Sequence, residues 1–301
     1  MNKVVSSAER APKSLLGIRA KGSTRLARSK GGDFMMVLLL LGFAVFMALP
    51  LVYTVVTAFK PVTELFTFPP RFFVKNPTLD NFVQMIQLTT EMYVPFSRYL
   101  FNSVLVAGGG TVVYVLIASL AAYPLAKFKF RFLKIYNAII VWAILFRPEV
   151  TAIPQYIVIS KLNLLNTYWA VMLPVLAGTF GVFLMVQFIS SFPDSVLEAA
   201  HIDGASQFQV FWRIVMPSVK PAWLTLTIFT FQGFWNTTGI QYVYDESMKM
   251  LPTVLQQITT GGIARAGASS AVALVLMIPP IVIFIITQSS VMETMATSGI
   301  K

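Results

Sequence analysis

The sequence predicts an all-α integral membrane protein: six transmembrane helices, with a cytoplasmic helical segment between the fourth and the fifth. Three observations carry that expectation. Of 301 residues, 56% are hydrophobic and only 12% charged, about half the charged share of a soluble domain, and the mean hydropathy is +0.72. Six apolar stretches approach the roughly 20 residues that a helix needs to cross a hydrocarbon core about 30 Å thick. Lys and Arg are spread unevenly among the segments between them.

Residues 1–33 mix Ser, Gly, Lys and Arg without apolar periodicity and read as a basic cytoplasmic tail attracted to anionic lipid. The first span is 34–59, whose 26 residues would reach about 39 Å at 1.5 Å per residue. A cleaved signal peptide is the rival reading there. The length of the apolar core, the thirty residues ahead of it and the lack of a small-residue cleavage site favour an uncleaved helix. An outer loop follows over 60–97, punctuated by Pro61, Pro69, Pro70 and Pro77, with a short amphipathic helix expected at 80–88. The other spans are placed at 99–126, 135–153, 168–190, 217–237 and 269–291, so the transmembrane domain is 34–301.

Fifteen of the 23 Lys and Arg fall on the side that holds the N-terminus, the 127–134 loop, the 198–221 segment and the C-terminus. Excess Lys and Arg marks the cytoplasm, so both termini and the 198–221 segment are expected inside, in a multi-pass protein of the bacterial cytoplasmic membrane. The formal charge of +11 is explained by those basic loops, and no nucleic-acid motif competes. With no cysteine and one histidine, disulfides, thiol catalysis and multi-histidine metal sites are excluded. No catalytic constellation and no metal site is expected, and the chain lacks the Gly-rich loop with Lys that would cradle ATP phosphates.

The segment "EAAHIDGASQFQVFWRIVMPSVKP", 198–221, has its own physical logic. Pro193 suits a first helical turn, with Asp194 and Glu198 near the positive end of that helix. Ala199 and Ala200 keep its surface thin enough for another backbone to approach. Gly204 permits a sharp turn, and Asp203 is the expected N-cap of a second helix. On that second helix Phe208, Phe211, Trp212 and Val215 form one apolar stripe at i, i+3, i+4 and i+7. An amphipathic loop lying on the membrane would explain the stripe. It leaves unexplained the thin, acid-bearing helix ahead of the turn, which suits insertion into a partner's groove.

The spacing of "EAA", three residues, Gly204 and then "RIVMP" resembles the EAA loop of binding-protein-dependent ABC importer permeases. The longer match, with "NTYWAVMLP" opening the fourth span and "GFWN" closing the fifth, is similar to the sugar-importer subfamily and its maltose-type second permease. The resemblance implies that the EAA helix is the coupling helix. Glu198, Ala199, Ala200, Asp203 and Gly204 would dock on a cytoplasmic ATPase subunit, with Glu198 meeting a basic residue there. It also implies a second homologous permease chain, two ATPase subunits that hold ATP and Mg, and an extracellular solute-binding protein. This chain would bind no cofactor itself and would not be an enzyme. His201 is one departure from the family pattern, at a position where many residues are tolerated, and reads either as a partly exposed spectator or as a tuner of docking.

Gln187, Trp235 and Asn236 are candidates to line a translocation path, because sugar recognition combines aromatic faces with amide hydrogen bonds; an aromatic belt is the other reading of Trp235. Gly108, Gly109 and Gly110 read as a close-packing surface or as an unwound transport element. Arg147 and Glu149 read as interface anchors or as substrate contacts. Pro148 and Pro154 are expected to kink or end the third span, and Pro279 and Pro280 to kink the sixth. Sugar is the favoured solute and a polyamine or phosphate the alternative. A channel or secondary transporter would require ionisable residues at mid-span, of which the sequence has few, and a membrane scaffold or receptor is a third class.

Overall fold

The structure, a computed structural model, describes residues 30–91, 93–146 and 148–298, all helix and connecting turn with no strand among them. The predicted tail up to residue 29 and Arg147 lie outside the described residues. The chain divides into two compact units, one ending at Val52 and one starting at Tyr53.

The first unit holds most of helix α1 (Lys30–Ala58). Its side chains are exposed on almost every side although its hydropathy is the highest of the three long apolar helices. An apolar helix with no polar face is stable in lipid, whose tails are the solvent its Leu, Val and Phe side chains need. The helix starts four residues before the predicted span and runs through Pro50.

In the second unit the end of α1 is closed by Asn81, at the start of α2 (Asp80–Glu91). The buried Asn81 amide donates to the carbonyls of Ala58 at 2.9 Å and Lys60 at 2.7 Å. These are acceptors that a helix end leaves without intrahelical partners. The expected amphipathic helix at 80–88 is therefore present and slightly longer.

Among the described residues three helices are long and apolar enough to cross a membrane, and up to six spans result if each of three bent helix pairs counts as one. The second span is α3 (Phe96–Lys127). It widens into a π-turn over Leu105–Gly109 and stays helical, so it carries no unwound element. Gly110 is a packing residue: a Cβ there would stand 2.7 Å from the Phe234 ring.

The third span is interrupted at Pro148, one of the two prolines expected to kink or end it. It is α4 (Leu133–Leu145) and α5 (Pro148–Lys161), bent by 107°. Pro148 opens α5, where its missing N–H costs no hydrogen bond. Pro154 lies inside α5 without ending it. The fourth span is α6 (Tyr168–Leu176) and α7 (Phe180–Ser190), bent by 42°. Helix α8 (Asp194–Ile202) leads to α9 (Gln207–Ser218), which turns by 78° into the fifth span, α10 (Lys220–Trp235). After α11 (Leu251–Thr259), the sixth is α12 (Ala266–Ser298), with Pro279 and Pro280 inside it.

Two apolar clusters hold this unit. One gathers Tyr99, Val106, Val171, Phe234, Trp235, Leu251, Val254 and Val272 at the end where α10 leads to α11. The other gathers Tyr114, Ala118, Met185, Ile189, Leu197, Val210, Phe211 and Leu226 toward the α8–α9 end. Helix α3 contributes to both, and its small residues let α7 and α10 approach.

At the first end the buried Asn102 side chain accepts from the Tyr168 hydroxyl at 2.7 Å and donates to the carbonyls of Ser247 and Lys249 at 2.9 and 2.8 Å. One amide thereby joins α3, α6 and the loop before α11. Beside it the Glu246 carboxylate accepts from Tyr99 at 2.9 Å and from Lys249. Burial alone would push its carboxyl up, but the Lys249 and Tyr99 hydrogen bonds outweigh this and hold it below the usual range.

Pro280 has no N–H, so the carbonyl four residues earlier, Leu276, loses its helical partner. The Trp235 indole N–H donates to that carbonyl at 2.8 Å, and its ring stacks on Phe231 at 5.6 Å. Trp235→Phe is expected to strand a carbonyl and cost about 1–3 kcal/mol. Pro280→Ala returns an N–H to Leu276, so in that background the same substitution should cost distinctly less. Thermal unfolding of the four variants in detergent measures the coupling, and additive effects would refute it.

Candidate functional site

The candidate site is the turn between α8 and α9. Pro193 is the N-cap of α8, and Asp194 stands in its first turn, where the partial positive charge of the helix end favours a carboxylate. Asp194 also accepts from the Lys127 ammonium at 2.6 Å, and Lys127 donates as well to the Phe192 carbonyl. The last turn of α3 thus holds the start of α8. That hydrogen bond keeps the Asp194 carboxyl below the usual carboxylate range. A depressed carboxyl pKa means that the tie is intact at neutral pH and is lost only as pH falls through that lowered value.

The end of α8 is a Schellman turn. Gly204 N–H donates to the His201 carbonyl and Ala205 N–H to the Ala200 carbonyl, both at 3.0 Å. Gly204 takes the left-handed conformation, φ +83°, which this motif requires and which L side chains resist. Asp203 is the C-cap of this first helix and caps no second one, which corrects the expected role. The N-cap of α9 is Ser206: its hydroxyl accepts from Gln209 N–H at 3.3 Å, and the Gln209 side chain accepts from Ser206 N–H at 2.9 Å. This reciprocal box satisfies two orphan donors, which a lone Asp203 three positions earlier cannot reach.

His201 joins the two helices. Its Nδ1 lies 3.1 Å from the Ala205 carbonyl and its Nε2 3.1 Å from the Gln207 amide nitrogen. A carbonyl only accepts, so Nδ1 carries the hydrogen and Nε2 accepts from Gln207. The Gln207 oxygen in turn accepts from the Tyr123 hydroxyl at 2.9 Å, which anchors the turn to α3. His201 is therefore a strut of the turn.

Leu197 is buried and Ala200 half-buried, both facing the bundle, while Glu198, Ala199, Asp203 and Gly204 are exposed. Among the described residues Glu198 has no ion-pair or hydrogen-bond partner. The five residues singled out by sequence thus come together on one turn, four of them open. Ile202 was not singled out, yet it is an apolar side chain 86% exposed at the tip. Its position five residues after the inward Leu197, on the opposite side of the helix, is the sequence signal that could have found it. The predicted stripe on α9 splits. A π-turn over Phe211–Val215 directs Phe211 and Val215 into the core and leaves Phe208 and Trp212 outside, edge to face at 6.1 Å.

The candidate path residues Gln187, Trp235 and Asn236 are not brought together in one place. Gln187 is exposed in the last turn of α7, near the α8 turn, and Asn236 is exposed at the far end of α10. The length of α10, about 24 Å at 1.5 Å per residue, lies between those two ends. Trp235 is 1% exposed and committed to Leu276. A recess opens at the break between α6 and α7, where Tyr114, Thr151, Gln155, Thr179 and Thr230 stand among apolar residues. There Tyr114 donates to the Gly178 carbonyl at 2.9 Å and accepts from Gly181 N–H at 2.8 Å.

Residues 14–291 match the family model of the binding-protein-dependent transport system inner membrane component. Protein LplC of Bacillus subtilis (strain 168) is 31% identical over 229 residues, which cover 75% of each chain. The polygalacturonan/rhamnogalacturonan transport system permease protein YtcP of the same organism is 31% identical over 231 residues, 75% of this chain and 77% of that one. The sn-glycerol-3-phosphate transport system permease protein UgpE of Yersinia pestis is 33% identical over 202 residues, 64% and 70% of the two chains. The crystal structure of a bacterial ABC transporter involved in import of the acidic polysaccharide alginate superposes with a TM-score of 0.74 at 20% identity, over 87% of this chain and 98% of its own. At that identity the likeness is one of fold. The match over nearly the whole length makes this chain a member of the family of binding-protein-dependent transport system inner membrane components: a transporter permease subunit, not an enzyme.

Proposed function

We propose that this chain is one of two permease subunits of an ATP-driven importer that takes up a carbohydrate delivered by an extracellular binding protein. Its turn at 198–204 faces the cytoplasm and docks on an ATPase subunit. The observation that carries the reading is the turn itself. Its outer face offers Glu198, the bare surface of Ala199 and the exposed Ile202, while Lys127–Asp194 and Tyr123–Gln207 tie its inner face to α3. An exposed carboxylate on a thin, braced helix is suited to a basic cleft, and Ile202 supplies an apolar anchor that a surface turn would not otherwise expose.

In this reading two ATPase subunits bind ATP and Mg and close on each other. The two coupling turns move with them as rigid bodies, and the permeases alternate between inward-facing and outward-facing states. Carbohydrate is the favoured solute because one relative is named for polygalacturonan and rhamnogalacturonan transport, and because a fold neighbour is an alginate importer crystallised with its oligosaccharide-bound periplasmic protein. The Lys and Arg asymmetry supports six spans with both termini in the cytoplasm of a bacterial inner membrane. ATP-dependent uptake of labelled oligosaccharide into liposomes that contain the four-subunit assembly and its binding protein tests the reading; uptake without ATP would overturn it.

Two substitutions probe the turn. Glu198→Lys is expected to leave the protein inserted and assembled but to lower uptake per ATP hydrolysed at least about tenfold, as loss of one charge-assisted contact implies. Uptake at the wild-type ratio would refute the docking role. At Gly204 a Cβ would meet no atom within 4 Å, so only its positive φ resists substitution. Gly204→Val should reduce co-purification of the ATPase, and Gly204→Asn, which tolerates this conformation better, should largely retain it. Equal yields for the two variants would remove the conformational argument.

A further inference from the structure

Residues 127–134 read "KFKFRFLK": basic side chains alternate with phenylalanines, and no acid stands among them. Lys127 is committed to Asp194 and the Phe192 carbonyl. Lys129, Arg131 and Lys134 are exposed and form no ion pair among the described residues. Phe128, Phe130 and Phe132 are exposed as well, and the Arg131 guanidinium lies over the Phe132 ring at 5.8 Å. Rings and cations exposed side by side suit the boundary between hydrocarbon and headgroups, where an apolar body and a charged tip each find their solvent.

The fold keeps this loop at that boundary. Only residues 128–132 join α3 to α4, and a chain that leaves and returns in so few steps rises no more than about 10 Å. The headgroup layer is itself roughly 5–8 Å deep on each side of the core. Ile135, Tyr136 and Ile139 are exposed from the first turns of α4, so apolar surface begins directly after the loop, and Phe130 packs edge-on against Tyr136 at 5.9 Å. The rings also continue in the other direction. Phe128 meets Tyr123 at 5.6 Å, Tyr123 meets Phe211 at 5.4 Å, and Phe211 meets Trp212 at 5.2 Å. The exposed Phe208–Trp212 pair of α9 therefore ends one aromatic ribbon that starts in the loop, with Arg213 exposed beside it.

We propose that the 128–134 loop is a binding site for anionic phospholipid: Lys129, Arg131 and Lys134 hold the headgroup phosphates while Phe128, Phe130 and Phe132 rest among the upper acyl carbons. Charge complementarity selects an anionic lipid over a zwitterionic one, since each basic side chain near a negative membrane surface adds its own attraction. Free phosphate would satisfy the cations and leave three rings in water. The site lies on the side of the docking turn, because Lys127 ties the loop's first residue to α8. Its placement in the inner leaflet rests on the reading that the turn faces the cytoplasm; the binding itself does not.

The chain has no cysteine, so Ala138→Cys, at an exposed position one turn after Lys134, carries a single fluorescent probe beside the loop. The assembled transporter is placed in symmetric phosphatidylcholine bilayers that contain equal fractions of brominated phosphatidylglycerol or brominated phosphatidylcholine, and quenching gives the relative binding constant. The expected preference for phosphatidylglycerol is at least about fivefold at low salt, as one basic side chain at an anionic surface confers. It should shrink toward unity near 1 M salt, where the Debye length is about 3 Å. The triple variant Lys129→Gln, Arg131→Gln, Lys134→Gln should lose it, and Lys129→Arg, Arg131→Lys, Lys134→Arg should keep it. Equal quenching by the two lipids, or a preference that survives in the Gln variant, overturns the site. Quenching by neither lipid shows that protein covers the loop and overturns it as well. The readout needs neither solute nor ATP hydrolysis, so failure of carbohydrate uptake leaves it standing.

Discussion

A helix interrupted within hydrocarbon leaves N–H and C=O groups that no water can satisfy, and each must find a partner within the protein. That constraint governs the second unit. At the α6–α7 break one hydroxyl meets it: Tyr114 donates to the Gly178 carbonyl and accepts from Gly181 N–H. A Cβ at Gly181 would stand 2.7 Å from the same ring, so the tyrosine fits only because that residue is glycine. At Pro280 the freed Leu276 carbonyl is met by Trp235. Both breaks are thereby fixed in position, and a fixed break is a hinge-free bend that can shape a cavity.

Helix α3 connects the break to the turn. Tyr114 on it holds the α6–α7 break, Tyr123 holds Gln207 of α9, and Lys127 holds Asp194 of α8. From Tyr114 to Lys127 is about 20 Å of continuous helix. The core between them is close-packed around Ala118, Ala122, Met185 and Ile189, all fully buried. The turn and the break are thus tied to one packed stretch of helix, which also contains Pro124.

The fold was legible where one physical signal dominates. Apolar length located the three long helices and the three bent pairs, because hydrocarbon thickness is a hard requirement, and the EAA spacing located the turn, because its Schellman geometry needs glycine at one place. The breaks were not legible. Periodicity cannot distinguish one helix of 23 residues from two joined through Gly178, since both are apolar throughout. Asp203 was misread as an N-cap because composition ranks Asp with Ser; only the reciprocal geometry of Ser206 and Gln209 decides between them. Trp235 was misread for a related reason. Its chemistry suits a sugar, but a proline 45 positions later leaves a carbonyl that claims its N–H, and that pairing is visible only in three dimensions.

The same reasoning separates the glycines by what each one omits. Gly204 omits a Cβ because its backbone is left-handed, and Gly110 and Gly181 because aromatic rings occupy the place where one would stand. Gly233 meets neither condition: it sits within a regular helix with open space before it. Packing and backbone geometry would both accept a larger residue there, and helix propensity would favour one. What a side chain at this position would remove is the volume between Phe229, Thr230 and the α6–α7 break. The fold therefore gives up helix stability at this residue and keeps open space beside the α6–α7 break.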